Sequence, residues 1–129
     1  MANKKKYAKF TASPKGMFHS MKQNSRKAKR LFNLTQIDFL KWYEVQSKKC
    51  FYCGIPKEKL YLLPKKGRYI NARFSIDRLD SNKGYELNNM VLACNICNAV
   101  KSNLLTAEEM IIIGKIVIRK KWKKEKFPS

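Results

Sequence analysis

The sequence predicts a small α+β domain, stapled by metal and flanked by N- and C-terminal helices, on three observations. Its 129 residues leave room for one core, and one small enough that a structural metal helps to hold it. Four cysteines form two Cys-x-x-Cys pairs, Cys50/Cys53 and Cys94/Cys97, far apart in the chain. Between the pairs the pattern reads strand, loop, strand, and then helix.

Composition divides the chain into four segments of one compact unit: a basic flexible arm (1–13), a basic helical extension (14–49), the cysteine-framed domain (50–105) and a basic C-terminal helix (106–129). The arm carries few large apolar groups besides Tyr7 and Phe10, and Pro14-Lys15-Gly16 marks its end. From Met17 to Leu31 a helix is expected, with Met17, Met21, Ala28 and Leu31 near one face. Lys22, Arg26, Lys29 and Arg30 recur at three- and four-residue steps on another, which makes a basic stripe. Thr35 followed by Asp38 resembles a helix start and opens a second helix to about Ser47. Phe39, Leu40, Trp42 and Tyr43 are its expected packing residues.

Cys50 to Gly54 forms a metal knuckle, and Gly54 supplies a permissive backbone just after the second cysteine. Residues 55–72 hold Pro56, Pro64 and Gly67 without a sustained period and read as an irregular or hairpin excursion. Phe74 to Leu79 alternates as a short strand should, Ser81-Asn82-Lys83-Gly84 is turn chemistry, and Met90 to Ala93 is a second strand. A helix then runs from Asn95 to about Asn103. Thr106 and Glu109 match a capping box that opens the last helix. The β-branched runs Ile111–Ile113 and Ile116–Ile118 argue the other way, toward a strand. The basic end, Arg119 to Lys126, holds Trp122.

A formal net charge of +20 and a pI near 10.0 call for a polyanionic partner. The balance is uneven: Lys4 to Arg30 holds ten basic residues and no acid appears before Asp38. Nucleic acid is the expected partner, through Lys22, Arg26, Lys29, Arg30 and Lys101. A membrane partner is not expected. The longest apolar stretch, Met110 to Ile118, is broken by Gly114 and Lys115 and falls short of the roughly 20 residues that cross a bilayer. The basic N-terminus lacks the apolar region of a signal peptide, and no lipidation motif is present, so the protein reads as intracellular. In a reducing compartment the two cysteine pairs favour one closed Zn²⁺ site, Cys50, Cys53, Cys94 and Cys97, over disulfides. A redox pair or two disulfides are the alternatives, and neither explains two such pairs flanking a polar loop.

Several blocks between the knuckles then stand together: Cys50-Phe-Tyr-Cys53-Gly54, Ser75-Ile76-Asp77-Arg78-Leu79, Lys83-Gly84-Tyr85, Asn88-Asn89-Met90-Val91, and Cys94-Asn95-Ile96-Cys97-Asn98 through Lys101. In this order and spacing the sequence resembles the HNH endonucleases, also called His-Me finger or ββα-metal nucleases, over roughly Cys50 to Leu105. The family is familiar from phages, mobile introns and restriction systems. The resemblance implies metal-dependent hydrolysis of DNA phosphodiester bonds. It puts the catalytic metal, Mg²⁺ or Mn²⁺, on Asp77 and Asn98, whose carboxylate and amide oxygens are hard ligands suited to such ions. It makes Asn89 a supporting residue that pins the loop.

One position departs from the family pattern. HNH enzymes usually carry a histidine directly after the metal-binding acid, where it takes a proton from the attacking water, and this chain has Arg78. Arginine does not serve as a general base, so Arg78 is expected to bind the scissile phosphate or to offset charge in the transition state. Asp80, Tyr85, Glu86 and the single histidine, His19, remain as side chains that could act on the water, and a metal-bound hydroxide needs none of them, since coordination itself lowers the pKa of water. The alternative reading is a zinc-stabilised DNA- or RNA-binding module of the same fold that has lost cutting. One active site per chain is consistent with a monomer or a weak homodimer.

Overall fold

A computed structural model describes residues 9–10, 12–67 and 71–125. The expected arm therefore lies outside the described residues as far as Ala8, as does the end of the basic C-terminal segment from Lys126. Lys9, Phe10 and Ala12, expected in the flexible arm, are helical. The local reason is a hydrogen bond from Ser13 N–H to the Phe10 carbonyl at 3.0 Å, and the Phe10 ring packs edge-on to His19 at 6.1 Å.

Helix α1 (Pro14–Lys27) starts where the Ser13 side chain accepts from Gly16 N–H and proline supplies a preset φ in the first turn. It buries Met17, Phe18, Met21 and Ser25. It ends short of Leu31, because Ala28 caps it and Lys29 turns to a φ of 56°. Ala28 and Leu31 thus leave the apolar face, and Leu31 is 79% exposed. Helix α2 (Gln36–Val45) is capped by Thr35, which accepts from Asp38 N–H. Its Phe39 is fully buried, stacked against Phe18 at 5.9 Å and Trp42 at 5.7 Å.

After the first knuckle, where Gly54 takes a φ of 77°, a 3₁₀ turn (Lys57–Leu62) fills part of the excursion. Strand β1 (Phe74–Arg78) pairs antiparallel with β2 (Met90–Cys94), setting Phe74 opposite Cys94 and Arg78 opposite Met90. Burial along β1 does not alternate as expected: Ile76, Asp77 and Arg78 are all buried. Both α1 and the next helix, α3 (Asn95–Lys101), pack on this strand. Cys94 Sγ accepts from Cys97 N–H and so caps α3, which stops at Ser102 with a φ of 48°.

The last helix opens at Thr106 with the full capping box to Glu109. It runs as α4 (Ala107–Ile113), a π-helical turn (Gly114–Ile118) and α5 (Arg119–Lys123). The β-branched run stays helical because its inward positions, Met110, Gly114, Ile118 and Trp122, fall four residues apart and are all buried. A four-residue repeat drifts around a helix of 3.6 residues per turn, and the wider π turn takes up that drift. Gly114 is required there: a Cβ would lie 2.6 Å from the Tyr52 carbonyl carbon and oxygen. Among the described residues no helix is long and apolar enough to cross a membrane.

Candidate active site

The knuckles bring Cys50, Cys53, Cys94 and Cys97 together, all buried, with their Sγ atoms within 4.8 Å of one another. Cys53 and Cys94 Sγ are 3.9 Å apart. A tetrahedral ion with metal–sulfur bonds of about 2.3 Å spaces its sulfurs by about 3.8 Å, whereas a disulfide needs about 2.0 Å. Cys53 N–H and Cys97 N–H each point at the first sulfur of their own pair, at 3.4 Å and 3.3 Å. Contact with Cys53, Cys94 and Cys97 draws the Cys50 thiol down, while contact with Cys50 and Cys53 pushes Cys94 and Cys97 up. Four buried sulfurs at this spacing suit one closed tetrahedral cation. The donor set therefore fits Zn²⁺.

Asp77 and Asn98 stand on facing elements, β1 and α3. Ser75 and Asp77 alternate along β1 and share a face, and Asn98 and Lys101 lie one turn apart on α3. The two rows pair: Asn98 Nδ2 donates to Ser75 Oγ at 2.8 Å, and Lys101 Nζ lies 3.4 Å from Asp77 Oδ2. Asp77 Oδ2 also accepts from the Tyr52 hydroxyl. Among the described residues no hydrogen bond reaches Asp77 Oδ1 or Asn98 Oδ1. Burial pushes the Asp77 carboxyl above its ordinary range, and Tyr52, Lys101 and Arg78 hold it back.

A cleft of about 540 Å³ opens between α1 and the β1–α3 seam, lined among others by Ser20, Asn24, Arg73, Ser75, Tyr85 and Asn98. Past Tyr85 a smaller depression of about 290 Å³ reaches Arg30 and Lys83. Burial pushes the Tyr85 hydroxyl up, against the opposing pull of Arg78, so it is protonated at neutral pH.

Several expected site residues stand elsewhere. Lys101, expected on nucleic acid, is fully buried: besides Asp77, its ammonium binds the Arg78 carbonyl at 2.9 Å. Arg78, expected at the scissile phosphate, does not line the cleft. Its Nη1 donates to the carbonyls of Ser81 (2.9 Å) and Lys83 (3.0 Å), with the guanidinium 5.6 Å from the Tyr85 ring. The strand end therefore gives its arginine to the loop that follows. Asn89 holds the same loop, accepting from Asp80 N–H (2.9 Å) and donating to the carbonyls of Asp80 (3.1 Å) and Gly84 (2.9 Å). Asp80 Oδ1 is bound to Asn82 N–H at 2.9 Å and lines a different depression with Phe51 and Leu104. His19 is exposed against Phe10, outside the cleft.

Lys22, Arg26, Lys29 and Arg30 are all exposed. They do not form one helix face, since α1 ends at Lys27. Lys22 and Arg26, two residues on from Ser20 and Asn24, point roughly to the opposite side of α1 from the cleft. Arg30, after the turn, borders the depression beside Tyr85. Tyr52, Ser75 and Arg73 were missed by sequence reasoning. The Tyr52–Asp77 contact spans 25 positions, and no local pattern announces it.

No family model matches the sequence. Among curated proteins, R423 of Acanthamoeba polyphaga mimivirus, uncharacterized, is 35% identical over 82 residues, 64% of this chain and 12% of that protein. YoqL of Bacillus subtilis (strain 168), an SPbeta prophage protein assigned by its name to the HNH endonucleases, is 30% identical over 83 residues, 64% of this chain and 36% of that one. The match thus spans well under half of either relative. The solved structure of PacI, a rare-cutting HNH restriction endonuclease, superposes with a TM-score of 0.71 at 33% identity, covering 87% of this chain and 80% of that chain. With four clustered cysteines around a strand–loop–strand–helix element and this overlap in sequence and structure, the chain belongs to the HNH endonuclease family.

Proposed function

We propose that the protein is a metal-dependent DNA endonuclease that hydrolyses phosphodiester bonds, with Zn²⁺ on the four cysteines for structure and Mg²⁺ or Mn²⁺ on Asp77 and Asn98 for chemistry. The observation that carries this reading is the β1–α3 seam: Asn98 lines the cleft, Asp77 follows the cleft residue Ser75 by two positions on the same face of β1, and among the described residues no hydrogen bond reaches Asp77 Oδ1 or Asn98 Oδ1. The donor chemistry fits a hard dication and not a soft one. When bound, such an ion supplies Lewis-acid charge to the phosphate and to the leaving 3′ oxygen.

The chain's own residues supply positioning. Ser75 takes the Asn98 amide nitrogen and so turns the amide oxygen away from itself. Lys101 and Tyr52 fix one oxygen of Asp77 and leave the other. Tyr85, protonated and facing the cleft, donates a hydrogen bond to a phosphate oxygen there. Arg78 and Asn89 together hold the loop that carries Tyr85. Arg30 and Lys83, beyond Tyr85, continue the positive track along which DNA phosphates would lie.

The absence of histidine from the cleft favours the second reading, a DNA-binding module of the same fold that does not cut. Supercoiled plasmid separates the two. Incubated with Mg²⁺ or Mn²⁺, the zinc-loaded protein should nick it, and Asp77→Ala and Asn98→Ala should not. Tight binding with no nicking under either metal would replace the endonuclease by the binding module.

A further inference from the structure

Tyr52 sits inside the first Cys-x-x-Cys loop, between two of the four clustered cysteines, yet its hydroxyl reaches across to Asp77 on β1. Its placement is fixed from three sides. Cys50 N–H bonds the Ile55 carbonyl at 2.9 Å and closes the knuckle. Phe51 N–H donates to the Leu92 carbonyl at 2.8 Å and ties the knuckle to β2. Gly114 of the π turn presses on the Tyr52 main chain so closely that no Cβ fits. The ring itself is 1% exposed.

We propose that Tyr52 is a positioning residue that transmits the order of the cysteine cluster to the second metal site. Its hydroxyl holds Asp77 Oδ2 so that Oδ1 is presented to the divalent ion. The inference rests on the reading of Asp77 as a ligand of that ion. Hydrogen-bonded partners of a metal ligand fix its orientation, and their loss typically weakens metal affinity by about 10- to 100-fold. Lys101 holds the same oxygen by charge, but a flexible ammonium at 3.4 Å sets direction less sharply than a hydroxyl on a rigid, buried ring.

The test is Mn²⁺ affinity, read from the signal of free Mn²⁺ by electron paramagnetic resonance in zinc-loaded protein, for wild type, Tyr52→Phe, Asp77→Ala and the double variant. Tyr52→Phe keeps the ring and its packing. It should weaken Mn²⁺ binding by about 10-fold or more, and nicking should recover when Mn²⁺ is raised to saturation. In the Asp77→Ala background the same substitution should have no further effect, since the hydroxyl then has no carboxylate to hold. Unchanged Mn²⁺ affinity in Tyr52→Phe, with Asp77→Ala impaired, would overturn the role of Tyr52 and leave Asp77 as a ligand. Unchanged affinity in Asp77→Ala would overturn both. An equal loss in the wild-type and Asp77→Ala backgrounds would make Tyr52 a packing residue only. Should Tyr52→Phe fail to fold, Gly114→Ala tests the contact from the other side. It displaces Tyr52 with its hydroxyl intact, and unaltered Mn²⁺ affinity there would likewise overturn the proposal.

Discussion

Lys101→Met removes an ammonium and keeps an unbranched apolar stem in a site that is closed to solvent. The lost group is bound to Asp77 Oδ2 at 3.4 Å and to the Arg78 carbonyl at 2.9 Å, with side-chain exposures of 0% for Lys101 and 7% for Asp77. Taking one partner from a buried ion pair costs about 3–5 kcal/mol, because the other charge stays behind. The Tyr52 hydroxyl still binds Asp77 and the methionine leaves no cavity, which puts the expected loss near the lower end, about 3 kcal/mol. Unfolding entropy of about 2.1 cal/mol/K per residue, over 129 residues, is about 0.27 kcal/mol/K, so Tm should fall by about 11 °C. The loss should also depend on pH. Burial already holds the Asp77 carboxyl above its ordinary value, and the variant loses one of the charges that restrain it. A folded pKa raised above the unfolded value of about 3.9 gives stability that is complete below that value and is lost as pH rises through the folded pKa. The deficit against wild type should therefore be smaller at pH 5 than at pH 8. Adding Asp77→Asn should restore part of the stability by removing the stranded charge. Thermal melts at fixed zinc provide the measurement. A Tm at pH 8 within about 3 °C of wild type, or a double variant less stable than Lys101→Met, would refute the buried pair.

Zinc chelation should unfold the chain cooperatively, followed by far-UV circular dichroism, since the cysteine pairs join segments 41 positions apart, as between Cys53 and Cys94. Gly114→Ala should destabilise by about 1–3 kcal/mol, seen as a lower urea midpoint, because the new methyl lies against the Tyr52 backbone. DNA affinity should fall linearly with the logarithm of salt concentration. In the same binding titrations Arg30→Ala with Lys83→Ala should lower the slope more than Lys22→Ala with Arg26→Ala, because the first pair borders the cleft's extension and the second faces the other side of α1.

Where the determining interaction is local, sequence alone was enough. Thr35 and Thr106 cap their helices through groups three residues away, and Gly54 supplies the positive φ that the knuckle turn needs. The two cysteine pairs are legible because each Cys-x-x-Cys unit bends its own backbone N–H toward its own first sulfur. Their union in one cluster that could hold zinc follows from the chemistry of four thiols, whatever the path between them. The family pattern between the pairs was equally readable, since it consists of residue types in fixed order.

What the sequence could not decide was which way a long polar side chain turns. Lys101 follows Asn98 by one helical turn and has the composition of a DNA contact, yet the packing of α3 on β1 carries its ammonium into the interior beside Asp77. Arg78 stands where the family places its base, but the return of the loop offers two carbonyls within 3.0 Å and takes its guanidinium. Tyr52 looks like spacer between two cysteines until the approach of Gly114 and the pairing of β1 with β2 set it over Asp77. Caps, knuckles and strand order are governed by neighbours within a few residues, and a sequence displays those directly. The partner of a buried charge is chosen by desolvation, which depends on every element that closes over it, and only the assembled tertiary structure contains that information.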